Sequence, residues 1–349
     1  MSNDNHYGAS ILGSSQKSFQ VAKVLQKLNV PIVSVYSKSY DEAEGMVEAL
    51  GLKGVTSVYD NINNMWERDD SSWVFVGMPI NDHGEMIVDS LYHGRHVLVS
   101  NMFAKNIREL SLVCNAMKEN KKILMDANPV LNSKLLNHLN CYNFDNTAVA
   151  KDIGRVFSVS INFGKGILRS MDSVPYNNTK LLYDPNRDYT HLAIGAAVAL
   201  CGSRLHFAGA VNNTHRNLSF VEGSCVLNNE FEQRISVNIS NYNVLPNSII
   251  LGGEYGYVKI KNFLYTLEVE IIDIYGNRKV YSYEDEVRRQ YVLPKDLYPS
   301  YEDVQVEATV LDFINAFNYD FDYVYDNDLN HFRSSLATER LLAQMLNND

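Results

Sequence analysis

Cysteine is scarce and scattered. The four residues Cys114, Cys141, Cys201 and Cys225 form no CxxC pair in a chain of 349 residues. Such spacing argues against a disulfide framework or a thiolate metal site, and it predicts buried free thiols in a reducing, cytoplasmic setting. Long apolar runs are also missing. The stretches SSWVFVGMP and LAIGAAVALCG are well short of the ~20 residues that a membrane-spanning helix requires. The opening MSNDNHYG has no basic segment followed by an apolar one, so no signal peptide is expected. HExxH, G-x-S-x-G and GxxxxGK[ST] are all absent, and His93 and His96 have no third ligand at metal spacing. Metallohydrolase, nucleophile-elbow and P-loop chemistries therefore have no footing. No long run carries one sign of charge, yet the formal net charge is -10, and such a surface disfavours a nucleic-acid partner.

What is present is an ordinary globular balance, with 46% hydrophobic and 21% charged residues over a length that suits two domains. The first third alternates strand and helix patterns. ASILGS, PIVSVYS, VTSVYD, WVFVGMP, HVLVS and KKILMDA read as strands, and amphipathic segments of ten to fifteen residues separate most of them. This is the signature of βαβ units and a parallel sheet. After Asn128 the period changes to two. FSVSINFG, SFVEGSCVLNN, QRISVNISNYN, SIILGG, GYVKIKN, LEVEIIDIYG and RKVYSYED predict a mostly antiparallel sheet, with one helix over SKLLNHLNCYNF and two more near the end of the chain. The expected division is a Rossmann-like domain over residues 1–128 and an α/β domain over 129–349, the last helices returning to the first domain.

The first strand ends in GSSQKS. A dinucleotide fingerprint would place glycine at three positions that are here Gly13, Ser15 and Ser18. Serine is small and can donate a hydrogen bond, so an anion site at the following helix N-terminus is retained as an expectation. The second strand ends in Ser37 and Lys38, where an acidic residue would receive the ribose hydroxyls of NAD. A hydroxyl and a lysine suit a 2'-phosphate instead, which makes NADP the preferred cofactor and NAD the alternative. The bland reading is that Ser37 caps the next helix and Lys38 is solvated. Pro79 closes the fourth strand at the carboxyl edge, and His83 follows near the start of a helix. That histidine either meets the cofactor or simply packs.

At the level of the whole chain, four segments taken in order resemble the glucose–fructose oxidoreductase / inositol dehydrogenase / MocA family. VGMPINDH is similar to the family's I-A-T-P-N-x-x-H, and GRHVLVSNMFAKN to its G-K-H-V-L-C-E-K-P-L-A-L-N. DIGRV resembles the start of its second-domain sheet, and LGGEYGYVKI its I-x-G-T-x-G-x-L-x-I element. The resemblance implies a Rossmann domain, a second domain whose open sheet joins copies into a homo-oligomer, a nicotinamide cofactor, and oxidation or reduction of a sugar, polyol or related compound. It also exposes two departures. The family's Glu-Lys-Pro is Ser100-Asn101-Met102 here, and its D-x-G-x-H-x-x-D falls on Ala193 to Leu200, keeping only Gly195. Asn101 can hydrogen-bond but cannot exchange a proton at neutral pH. His191, with Asp188 before it and a helix expected to begin near Thr190, is a displaced substitute for the lost acid/base histidine. A polar loop with a helix cap is the alternative.

Two functions stay open on these residues. One is an NAD(P)-dependent oxidoreductase acting on a small molecule through His191, Asn101 and Asp188. The other is a non-catalytic relative that binds a nucleotide or sugar as a sensor or assembly partner.

Overall fold

The computed structural model describes residues 8–100, 102–164, 185–215, 218–240, 243–264, 266–291, 301–328 and 331–346. They divide into two compact units, Met1–Ala127 with Val306–Phe332, and Asn128–Gln305 with Arg333–Asp349.

In the first unit the chain runs β1 (Ala9–Leu12), α1 (Gln16–Lys27), β2 (Ile32–Tyr36), α2 (Tyr40–Ala49), β3 (Ser57–Tyr59), α3 (Ile62–Trp66), β4 (Trp73–Val76), α4 (Ile80–Tyr92), β5 (His96–Val99), α5 (Ile107–Asn120) and β6 (Leu124–Asp126). The six strands form a parallel sheet in the order β3-β2-β1-β4-β5-β6. β1 and β4 are buried along their whole length, as a sheet covered on both faces requires. Strand order reverses between β1 and β4, and ligands of such sheets sit at the carboxyl ends beside that point.

The core of this unit takes in residues from far along the chain. Phe313 meets Trp73 edge-on at 5.1 Å between ring centres, and Val310, Ala316 and Val324 lie in the same buried cluster. Phe317, beside Phe313, tilts over His96 at 4.6 Å.

The second unit adds α6 (Lys134–His138), a 3-10 turn at Phe144–Asn146, α7 (Ala148–Ile153), β7 (Val156–Gly164), α8 (Pro185–Cys201), β8 (His206–His215), β9 (Leu218–Asn228), β10 (Arg234–Ser240), β11 (Ser248–Gly253), β12 (Gly256–Lys261), β13 (Glu268–Asp273), β14 (Arg278–Ser282) and α9 (Glu284–Tyr291). Three further helices follow: α10 (Tyr301–Ala316), α11 (Phe321–Asp326) and α12 (Phe332–Leu346). Its eight strands run β14-β13-β12-β11-β7-β10-β9-β8, and every pairing is antiparallel except β7 with β10.

The period of two is obeyed strictly. Val159, Ile161, Phe163, Ile235, Val237, Ile239, Ile249 and Leu251 are buried, while the alternate face carries Asn162 bonded to Asn238 and Ser224 bonded to the same asparagine. Exposed Val211, Tyr257 and Val280 interrupt that polar face.

Three sequence expectations need correction here. Asn140 to Asn143 break the helix expected over SKLLNHLNCYNF, because Asn140 turns its side chain back onto Tyr142 N–H and Ala199 C=O. α8 begins at Pro185, five residues before Thr190, and proline is well suited to a first helical position. Strand β8 lacked a clean alternation because Gly209 carries a register shift.

His96 ties this architecture to pH. Its Nδ1 accepts the Ile123 N–H at 3.0 Å, so the ring is held neutral between β5 and the approach to β6. Burial, aided by nearby Lys122, lowers its pKa to about 4. A depressed folded-state value means that its stabilisation is complete above the unfolded pKa of about 6.5 and is lost as pH falls towards 4. Urea unfolding at a series of pH values should show a loss on the order of 2 kcal/mol from this group across that window. A His96→Gln variant should lack that part of the slope.

Candidate functional site

The carboxyl edge of the first sheet is built from three turns. At the first, β1 ends in Gly13, whose φ of +102° favours glycine over any side chain. A Cβ there would stand 2.8 Å from Met78 Cγ and 2.9 Å from the Gly77 backbone. Ser15 is the N-cap of α1, its Oγ accepting Ser18 N–H at 3.2 Å and lying 3.1 Å from Ser18 Oγ. Ser18 is fully buried. It fits because Gly77, just past β4, has no side chain: a Cβ at Gly77 would fall 2.2 Å from Ser18 Oγ. The third glycine of a dinucleotide fingerprint allows a helix to pack closely on the sheet. Here the same closeness is reached by exchange, with serine on the helix and glycine on the strand end. The first turn of α1 holds no acidic residue, so the helix end still suits an anion. Gly13 and that helix end together fit a pyrophosphate.

At the second turn, Ser39 is the N-cap of α2, so the reading of Ser37 as the cap is corrected. Ser37 Oγ donates to Glu42 Oε2 at 3.0 Å, and Ser14 Oγ donates to the same oxygen at 3.1 Å. Lys38 is not simply solvated: its Nζ lies 2.8 Å from Asp82 Oδ1, an ion pair that raises the lysine's pKa, chiefly through that hydrogen bond.

The third turn carries Pro79, the extended N-cap residue of α4. The helix starts at Ile80, which places His83 inside it and almost completely buried. Its Nδ1 and Nε2 lie 2.9 and 2.6 Å from the carbonyl oxygens of Met102 and Met78. Burial pushes this imidazole below its usual pKa, against the pull of both carbonyls. Both ring nitrogens are thus engaged by backbone, and His83 packs and pins the loop. Met102 itself sits at φ +57°, a value proline cannot adopt, so the backbone at this place cannot be that of a Glu-Lys-Pro segment. Asn101 lies outside the described residues.

In the second unit, α8 is apolar from Leu192 to Cys201. Ala193, Ala197 and Leu200, at the three polar places of D-x-G-x-H-x-x-D, are all buried. Just before that run stands His191, also buried, whose Nδ1 lies 3.1 Å from Asn128 Nδ2. Asn128 Oδ1 accepts the Val130 N–H at 2.9 Å, which fixes the amide orientation. Its Nδ2 is then the donor and His191 Nδ1 the acceptor, so the neutral ring carries its proton on Nε2. Gly195 makes room for this pair, since a Cβ there would stand 3.2 Å from Asn128 Nδ2 and 3.0 Å from Val130 Cγ2. Asp188 is three residues before His191 on the same helix, and its side chain lies outside the described residues. Among the described residues no group of three or more His, Cys, Asp or Glu could hold a metal, and no helix is long and apolar enough to cross a membrane.

Sequence reasoning passed over Gly77, Glu42 and Asp82. The signal for Glu42 was legible, since Ser39 followed three residues later by Glu42 spells a capping box. Gly77 had no signal without knowing that Ser18 faces it.

Residues 8–127 match the family described as "Oxidoreductase family, NAD-binding Rossmann fold". The chain is similar to the scyllo-inositol 2-dehydrogenase (NADP(+)) of Bacillus subtilis, at 30% identity over 96 residues, which is 28% of each protein. Two solved structures share the fold over nearly the whole length. A 3-ketoreductase from Actinomadura kijaniata, in complex with NADP and TDP-benzene, superposes with a TM-score of 0.71 at 18% identity, covering 97% of this chain and 96% of that one. An oxidoreductase from Agrobacterium radiobacter, in complex with NAD+, L-tartaric acid and magnesium, superposes at 0.72 with 11% identity, covering 98% and 96%.

The exchange between Ser18 and Gly77 can be tested by stability. Gly77→Ala should destabilise the protein by about 2 kcal/mol or more in urea unfolding. Adding Ser18→Ala removes the oxygen that collides and should recover part of that loss, whereas additive losses would show that the two positions are not in contact.

Proposed function

We propose that the chain, whose residues 8–127 match the oxidoreductase family model, is a member of the Gfo/Idh/MocA family that oxidises or reduces a sugar, polyol or related small hydroxyl or carbonyl compound with NAD(P). The carrying observation is the tight positive-φ turn at Gly13, leading into a helix whose first turn holds no acidic residue. Gly13 and Ser15 hold the pyrophosphate through backbone approach and the α1 dipole, and Ser18 serves that site by packing α1 closely on the sheet. Ser37 and Lys38 face the adenosine ribose and favour NADP, as in the Bacillus and Actinomadura relatives, while Pro79 borders the opposite side of the strand switch. When bound, the cofactor supplies hydride exchange at its nicotinamide ring.

His191 polarises the substrate oxygen. As a neutral Nε2–H imidazole oriented by Asn128, it donates a hydrogen bond to the carbonyl oxygen that gains charge during reduction, and the proton that completes the hydroxyl comes from solvent. The alanines at the family's own acid/base positions have no polar group to donate such a bond. Asp188 lies on the same helix at a spacing that makes neighbours, and Asn101 offers an amide to a substrate oxygen. Copies of the chain associate through the outer face of the eight-stranded sheet, at Val211, Tyr257 and Val280. The second reading is a non-catalytic nucleotide or sugar binder, and the burial of Ala193, Ala197 and Leu200 at the polar places favours it.

Calorimetric titration of cofactor-free protein with NADP(H) and NAD(H) should give dissociation constants in the micromolar range. With a keto-sugar or polyol found by screening, His191→Gln should lower kcat by about 10²-fold or more and leave cofactor affinity unchanged. Binding without turnover of any such compound supports the second reading. A folded protein that binds neither cofactor overturns both the dehydrogenase and the nucleotide sensor.

A further inference from the structure

The sequence Ser39-Tyr40-Asp41-Glu42 is written for a capping box, in which Glu42 would accept the Ser39 N–H while Ser39 Oγ capped the helix. The structure abandons that arrangement. Ser39 makes no side-chain cap bond, and its N–H faces Ser37 Oγ at 3.5 Å. The Glu42 carboxylate has instead swung to the hydroxyls of Ser14 and Ser37, which stand in the turns after β1 and β2. One oxygen, Oε2, accepts both bonds, at 3.1 and 3.0 Å. Giving up a local cap commonly costs about 1 kcal/mol, so a carboxylate reaching across two turns requires an explanation.

Its position supplies one. A dinucleotide fold receives the adenosine ribose between these two turns, and there an acidic side chain reads free ribose hydroxyls whereas a cation accommodates a 2'-phosphate. The chain places both kinds of charge nearby. Lys38, however, is held at 2.8 Å by Asp82, so much of its charge is already matched. Glu42 is exposed, and among the described residues it accepts hydrogen bonds from two neutral hydroxyls, which do not match its charge.

We propose that Glu42 sets the choice between NAD and NADP, as an acceptor for the ribose hydroxyls and as a fixed charge opposing the 2'-phosphate. The inference rests on the nucleotide site proposed above and refines it. NAD and NADP differ by that one group, which carries close to two negative charges at neutral pH. A carboxylate cannot donate a hydrogen bond to it, whereas the amide of glutamine can. Glu42 thereby counteracts the bias that Ser37 and Lys38 give towards NADP. Asp82 acts in the same direction by occupying Lys38.

The test is calorimetric titration of the intact protein and its variants with NAD+ and with NADP+, which reads binding without any substrate. Glu42→Gln should shift the ratio of the two dissociation constants towards NADP+ by about tenfold. Asp82→Asn should produce a smaller shift of the same sign, and circular dichroism should show both variants folded. If both cofactors bind and Glu42→Gln leaves their ratio unchanged, the role of Glu42 is overturned while the nucleotide site stands. If the folded wild-type protein binds neither cofactor, the site itself fails and this inference fails with it.

Discussion

The edge of the first unit depends on one steric condition, that the end of α1 and the end of β4 can share the space around Ser18 Oγ. Gly77 meets that condition by having no side chain, and Gly13 meets its counterpart by turning at a positive φ against the same stretch of backbone. The rest of the edge follows from this contact. Because Ser18 can be buried, Ser15 can cap the helix from below it, and α1 can begin directly after the turn. Because α1 begins there, its dipole points at the strand switch, where an anion is stabilised.

A comparable economy governs α8. Burying a polar side chain in an apolar helix is costly unless it is hydrogen-bonded. Asn128 satisfies His191 Nδ1, and Val130 N–H in turn satisfies Asn128, so orientation passes from backbone to amide to imidazole. Gly195 is needed for the close approach of the amide. The one residue kept from the family's D-x-G-x-H-x-x-D pattern is therefore the one that this different polar arrangement still uses.

Most of the fold was legible in the sequence because strand and helix periods are local properties. The six parallel strands and most of the second sheet stand where hydrophobic patterning placed them, and their apolar residues are buried accordingly. The site was less legible because its determinants are pairwise. Ser15 and Ser18 looked like lost glycines until Gly77 was seen facing them. Lys38 reads as a phosphate contact or a solvated charge, and its partner Asp82 stands 44 residues later. Glu42 was passed over although it stands at capping-box spacing from Ser39, and its partners Ser14 and Ser37 come from two turns. Strand β8 was missed for a local reason, since a shift of register at Gly209 disrupts the very alternation by which a strand is read.

The first unit is not a continuous piece of chain. Its hydrophobic cluster includes Val310, Phe313, Ala316 and Val324, and Phe313 packs edge-on against Trp73 in the middle of the sheet. During synthesis, at roughly 5–20 residues per second, the N-terminal sheet therefore emerges long before the residues that complete its core. For many seconds the nascent chain must carry Trp73 without its aromatic partner while the whole second sheet is translated. The unit begun first is thus completed only after the whole second sheet has been made.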